Sequence, residues 1–189
     1  MIKTNISEET TDDTLLLSTA QGNREAFRLL IRRHQGMVTR FACRLLSGDR
    51  SAAEDIGQEA FLRLFRAAKS YNARGEMCAF LLTTTRNLCR DHLRRQRPTE
   101  ELDRAVDYAD PSPTGEGSAL LQERSETLRR AIAALPEEQQ TVLILSHYEG
   151  LPYAEIAAIV GCPAGTVASR KHHALAALRR SLQPYLEEK

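Results

Sequence analysis

A chain of 189 residues has room for one domain or two small ones, each with a modest core. Charged residues make up 27% of it, aromatics 5%, and tryptophan is absent, while every apolar run is far shorter than a membrane span. The polar, acidic start MIKTNISEETTDD also lacks the apolar stretch of a signal peptide. The expectation is a soluble, helical, cytoplasmic protein with no membrane insertion.

The net charge of +1 conceals an uneven distribution. Thr99 to Glu126 carries eight acids against Arg104 and Arg124, a net of −6, between basic flanks. That pattern reads as two basic modules joined by an acidic connector. The cysteines, Cys43, Cys78, Cys89 and Cys162, show no framework spacing. Cys78 and Cys89 would sit about 16 Å apart along one helix, too far for a disulfide. Cys89 and His92 could supply half a metal site, but no second pair is placed to complete it. Reduced thiols are expected, with no metal and no cofactor.

In chain order, Asp12-Asp13 precedes a helical pattern, Leu15 to Ala20, that Gly22-Asn23 breaks. A second helix follows, with Phe27, Leu30, Ile31 and His34 on one side. Gly36 is expected to interrupt it before Met37, Val38, Phe41, Ala42 and Leu45 resume the pattern. Ser51-Ala-Ala-Glu54 reads as a capping box opening a third helix that runs to about Ser70. Its inward face is Ala53, Ile56, Ala60, Leu64 and Ala67. Its other face gathers Asp55, Gln58, Leu62, Phe65 and Lys69. Two large apolar groups among polar ones fit either a partner-binding surface or a helix sandwiched between neighbours.

Tyr71 to Glu76 is a turn-rich loop leading into Met77–Arg97. On a helix, Met77, Leu81, Thr84 and Leu88 fall on one side, and Arg86, Arg90, Arg94 and Arg97 form a stripe opposite, with Asn87 beside it. Five arginines against Asp91 leave +4 over about three turns. A row of guanidiniums suits a row of phosphates, though a solvated face has the same look. Pro98 ends the helix, and Asp110-Pro-Ser-Pro-Thr-Gly-Glu-Gly is a linker by composition.

Helices resume near Leu120, with Leu121, Leu128, Ile132 and Leu135 sharing a face. Pro136 starts a helix that stops at Gly150. A short helix, Pro152 to Val160, is closed by Gly161, and Pro163 opens a last long one. Short helix, glycine, one residue, helix is the helix-turn-helix layout. Val167, Ala174 and Leu178 would face the core, with Ser169, His172 and His173 pointing away and Arg170 on the flank. The N–H groups of Ala164, Gly165 and Thr166 would offer a phosphate seat at the helix start.

The run Leu135-Pro-Glu-Glu, Val142-Leu143, Glu149-Gly-Leu-Pro-Tyr-Ala-Glu-Ile-Ala, Gly161-Cys-Pro-Ala-Gly-Thr-Val and Ser169-Arg170 resembles conserved region 4 of the extracytoplasmic-function (ECF, group 4) sigma factors of the sigma-70 family. Asp55-Ile-Gly-Gln58-Glu-Ala-Phe-Leu and Arg86-Asn87-Leu-Cys-Arg-Asp91-His-Leu-Arg-Arg resemble region 2 of the same family. The resemblance implies an all-α chain of two small helical domains. Region 2 would span residues 10–97, a flexible acidic linker 98–124, and region 4, with its helix-turn-helix, 125–187.

It also implies partners: the core enzyme of bacterial RNA polymerase, promoter DNA and an anti-sigma factor. Asp55, Gln58 and Leu62 would meet the clamp coiled coil of the large polymerase subunit, which favours the partner-binding reading of that face and adds Phe65, which shares it by helical period. Arg74, Gly75 and Asn87 would capture an unstacked −10 base, with Arg86, Arg90 and Arg94 on the strand. Thr166, Ser169, Arg170, His172 and His173 would approach −35 DNA in the major groove. Three positions depart from the family pattern. Phe80 stands where a bulkier aromatic is usual, and Ala168 and His173 where basic residues often sit, so that groove contacts are fewer or pH-sensitive. Lys171 occupies an apolar position and must snorkel. A stand-alone helix-turn-helix regulator would explain the C-terminal half but leave the Asp55–Phe65 face and the Arg86 stripe idle. No phosphate loop, metal cluster or nucleophile–base spacing points to an enzyme.

Overall fold

The computed structural model describes residues 7–71, 75–96 and 118–187, the side chains of 118–121 and 186–187 apart. The described residues are 83% helical, and no strand occurs among them. The helices are α1 (Asp12–Ala20), α2 (Arg24–Leu45), α3 (Arg50–Ala67) with a 3₁₀ turn at Ala68–Ser70, α4 (Met77–Arg95), α5 (Ser118–Ala133), α6 (Glu137–Leu143) continued by a π turn at Ile144–Tyr148, α7 (Tyr153–Val160) and α8 (Ala164–Glu187). They form two compact units, one drawn from residues 1–43 and 50–99, the other from 44–49 and 100–189. Among the described residues no helix is long and apolar enough to cross a membrane. Arg97 and most of the connector, residues 98–117, lie outside the described residues; α5 begins within the span assigned to the connector.

In the first unit Thr11 caps α1, its Oγ1 accepting from the Thr14 N–H, so Asp12 and Asp13 sit in the first turn, where acids suit the helix dipole. Asn23 caps α2, its Oδ1 accepting from the N–H groups of Glu25 and Ala26. Gly36 does not interrupt α2. One glycine costs a helix about 1 kcal/mol, and the apolar residues on both sides keep one continuous 22-residue helix. The third helix also starts differently from expectation. It begins at Arg50, so Ser51 lies inside it, and the Glu54 carboxylate accepts from Arg50 Nε at 3.1 Å instead of closing a capping box. The core gathers Leu15, Leu16, Leu29, Leu30, Val38, Phe61, Leu64, Met77 and Leu81. Phe61 is buried, and Ala68 takes the buried place expected of Ala67, which is only partly covered.

In the second unit Ala131, Ile132, Leu135, Leu143, Ala174 and Leu178 form the core shared by α5, α6 and α8. Leu128 is exposed, and the buried face of α5 passes through Ala131 instead. Pro136 is the cap residue before α6 rather than its first helical residue. The wide π turn brings Ile144 and Leu145, adjacent in sequence, both into the core.

Candidate functional site

The outward face of α3 carries the first surface. Its inward side buries Ala53, Ile56, Gly57, Ala60, Phe61 and Leu64. Turned about the same axis, Leu62 and Phe65 are 49% and 50% exposed. Asp55 and Gln58 are exposed beside them. The Phe65 ring leans on Phe27 of α2, centroids 5.1 Å apart and tilted by 58°, which fixes its orientation without covering it. Arg63 Nε donates to Glu59 at 2.9 Å, a hydrogen bond that holds this carboxyl below the usual carboxylate range. The result is an apolar patch with ionised and amide groups at its edge.

The second surface is α4. Its buried face is Met77, Leu81, Leu82, Thr85 and Cys89, rotated from the expected Met77–Leu81–Thr84–Leu88 line. Thr85 can be buried because its Oγ1 donates to the Leu81 carbonyl at 2.8 Å. Thr84 and Leu88 are consequently half-buried. The rotation shortens the arginine stripe. Arg86 and Asn87 lie half-buried on the flank, while Arg90 and Arg94 stand exposed. Asp91 pairs with Arg94 at 3.3 Å. Phe80 is partly buried against the core.

The loop before α4 has an anchor that no local pattern announces. Asp13 accepts from Tyr71 Oη at 2.7 Å with one carboxylate oxygen and from the Gly75 N–H at 2.9 Å with the other. Gly75 adopts φ +72°, open to glycine at no steric cost. The two ends of the loop are thus clasped to the first turn of α1. Arg74 lies outside the described residues.

The third surface is the helix-turn-helix. Gly161 closes α7 at φ +71°, the left-handed conformation the turn requires. Ile156, Ile159, Val167 and Ala174 are buried between α7 and α8. Ser169, His172 and His173 are exposed, and Thr166 is half-buried. Thr166 also departs from expectation in its backbone, because its N–H donates to the Pro163 carbonyl at 2.9 Å. The anion seat at this helix start therefore falls to Ala164 and Gly165. The Arg170 guanidinium pairs with Glu138 of α6 and donates to Cys162 Sγ at 3.4 Å, tying α8 to α6 and to the turn. Lys171 folds over Tyr153, its Nζ 5.5 Å from the ring centroid, which is how a lysine occupies an apolar position.

Residues 30–99 match the family model for Sigma-70 region 2, and residues 125–178 the one for Sigma-70, region 4. An RNA polymerase sigma-H factor of Pseudomonas aeruginosa is 32% identical over 195 residues, covering 94% of this chain and 96% of that one. An ECF RNA polymerase sigma-E factor of Escherichia coli is also 32% identical, over 96% of this chain and 99% of that one. Two solved structures share the fold at 23% identity. One is CnrH in complex with the cytosolic domain of CnrY, at TM-score 0.70 over 92% of this chain and 97% of that one. The other is the sigma factor RpoE with the anti-sigma factor NepR from Bartonella quintana, at TM-score 0.65 over 83% of this chain and 96% of that one. The chain belongs to the sigma-70 family and is an RNA polymerase sigma factor of the ECF type.

Proposed function

We propose that the three surfaces divide the work of promoter-specific initiation. The α3 face, with Asp55, Gln58, Leu62 and Phe65, docks on core polymerase. The loop clasped by Asp13 and the α4 flank, with Asn87, Arg86, Arg90 and Arg94, capture the −10 strand, and Arg74 belongs to the same loop. The α8 face, with Thr166, Ser169, His172 and His173, reads −35 in the major groove. The observation that carries this reading is the exposure of Leu62 and Phe65 on a helix whose other side is fully committed to the core: a free-standing DNA binder has no use for them. Residues 10–97 and 125–187 are the two working domains, and the chain acts by binding, not by catalysis, in the cytoplasm. An anti-sigma factor that covers these surfaces would hold it inactive, as the partners named with the two fold relatives suggest.

The groove assignment separates two kinds of residue on α8. Ser169→Ala and His173→Ala should re-rank −35 variants in transcription assays, a base contact being worth about 1–3 kcal/mol. Arg170→Ala should instead lower the melting temperature of the domain, by an amount equivalent to about 1 kcal/mol or less, because its guanidinium is spent on Glu138 and the turn. If His173→Ala lowers transcription from every −35 variant by the same factor, the histidine touches phosphate alone.

A further inference from the structure

One cluster of the first unit plays no part in this account. His34 of α2 lies between Asp12 of α1 and Cys78 of α4. Its Nε2 is 2.7 Å from Asp12 Oδ2, and its Nδ1 is 3.8 Å from Cys78 Sγ. The other Asp12 oxygen accepts from Arg33 at 2.9 Å, which fixes the carboxylate. A carboxylate at this distance assigns the ring proton to Nε2 and leaves the Nδ1 lone pair toward the thiol. Cys78 also stands in the first turn of α4, where the helix N-terminus favours negative charge; the adjoining acid, Glu76, is the cap residue and stands exposed. Cys89, on the same helix, is the contrast: burial pushes its thiol up to about 12, which disfavours the thiolate.

The ligand atoms of Asp12, His34 and Cys78 lie within 4.8 Å of one another, a spacing that could also suit a metal ion. The two ring nitrogens serve different neighbours, however, and the Arg33 cation occupies the carboxylate. That is the order of a proton relay, not of ligands converging on one point.

We propose that Cys78 is a modification site, a relay-activated thiol that reacts with small hydroperoxides and so controls strand capture. His34 takes the Cys78 proton on Nδ1, and Asp12 steadies the imidazolium. The thiolate attacks a peroxide oxygen; an S–O bond forms as the O–O bond breaks. The electron pair leaves on the departing oxygen, which takes the proton from His34. Sulfur is oxidised by two electrons to a sulfenic acid, and the peroxide is reduced by two to water or an alcohol. The half-buried position favours a small oxidant over a bulky electrophile. Cys89 lies about 16 Å along the helix by helical rise, so it cannot resolve the product as a disulfide, and an external thiol must restore it.

The consequence for promoter opening follows from position and rests on the −10 reading above. Asp12 serves the relay, and its neighbour Asp13 clasps Tyr71 and Gly75. An added oxygen between Cys78 and His34 therefore strains the same first turn of α1 that anchors the capture loop.

The test treats the full-length chain with hydrogen peroxide, traps sulfenic acid with dimedone and maps the adducts by mass spectrometry. Cys78 should trap at least tenfold faster than Cys162, which is equally half-buried, and His34→Gln should remove that advantage. Asp12→Asn, checked by circular dichroism, should reduce it if His34→Gln fails to fold. Equal rates at Cys78 and Cys162, or a folded relay variant with unchanged Cys78 reactivity, would overturn the site. So would zinc binding by the untreated chain that protects Cys78. In transcription, peroxide should suppress open complexes formed by the wild-type holoenzyme, dithiothreitol should restore them, and Cys78→Ser should resist. Suppression that persists in Cys78→Ser overturns the control of strand capture. The reduced, untreated holoenzyme tests the promoter reading separately, and the trapping rates stand apart from both.

Discussion

Asp55→Ala combined with Leu62→Ala should release the chain from core polymerase while leaving its circular dichroism unchanged. Both residues are exposed, and neither contributes to the core of the first unit, so their loss opens no cavity. A large apolar group that becomes buried at an interface is worth about 2 kcal/mol or more, roughly a thirtyfold loss of affinity for Leu62 alone. Phe65 offers a second anchor, held in orientation by Phe27, so Phe65→Ala should add to the effect. Titration of labelled chain into core enzyme measures it directly. Unaltered affinity in the folded double variant would remove α3 from the polymerase contact.

The other large effect is expected on α4. A base can be grasped on all its edges only after leaving the stack, at a cost of a few kcal/mol that the protein must offset. Asn87, half-buried on the flank, offers an amide that both donates and accepts, while Arg90 points into solvent. Asn87→Ala should change which −10 base is preferred. Arg90→Ala should weaken open complexes on all promoters alike and reduce the salt slope by roughly 0.7, the value of one single-strand phosphate contact. A promoter pre-opened at −10 distinguishes the stages. If Arg90→Ala is as defective there as on closed duplex, the arginine holds the strand after melting. Full rescue by pre-opening would mean that it acts on duplex DNA beforehand.

Periodicity makes the helices of this chain legible, because apolar faces repeat with the helical period over most of it. It misplaces the α4 face for a specific reason. Thr85 is polar by type, yet it disappears into the core by donating to its own backbone, and Cys89 is small enough to follow it. Gly36 and Ser51 mislead in the same local way, since the packing of whole helices overrides one residue's preference. The clasp on the capture loop joins Asp13 to residues 58 and 62 positions away, a distance at which no local pattern operates. The Asp12-Asp13 pair looks like any helix start. Arg170, which resembles a groove contact by spacing, is turned inward by Glu138, an acid whose proximity only the packing of α6 on α8 reveals. Periodicity supplies the Arg86, Arg90 and Arg94 stripe, Phe65 beside Leu62 and the outward Ser169, His172 and His173, whereas Asp55, Gln58, Arg74, Gly75 and Asn87 are assigned through family motifs, because periodicity shows where a face is exposed but not what covers it.

The central claim is that this chain gives core polymerase its choice of promoter, and start-site mapping tests it most directly. Purified core enzyme is supplied with genomic DNA and the chain, and the 5′ ends of the transcripts are sequenced. Discrete start sites that share one −35 and one −10 sequence, absent without the chain and lost with the Asp55→Ala, Leu62→Ala variant, are the predicted result. Transcripts whose ends are the same with and without the chain, although it binds DNA, would contradict the account and leave a stand-alone helix-turn-helix regulator in its place.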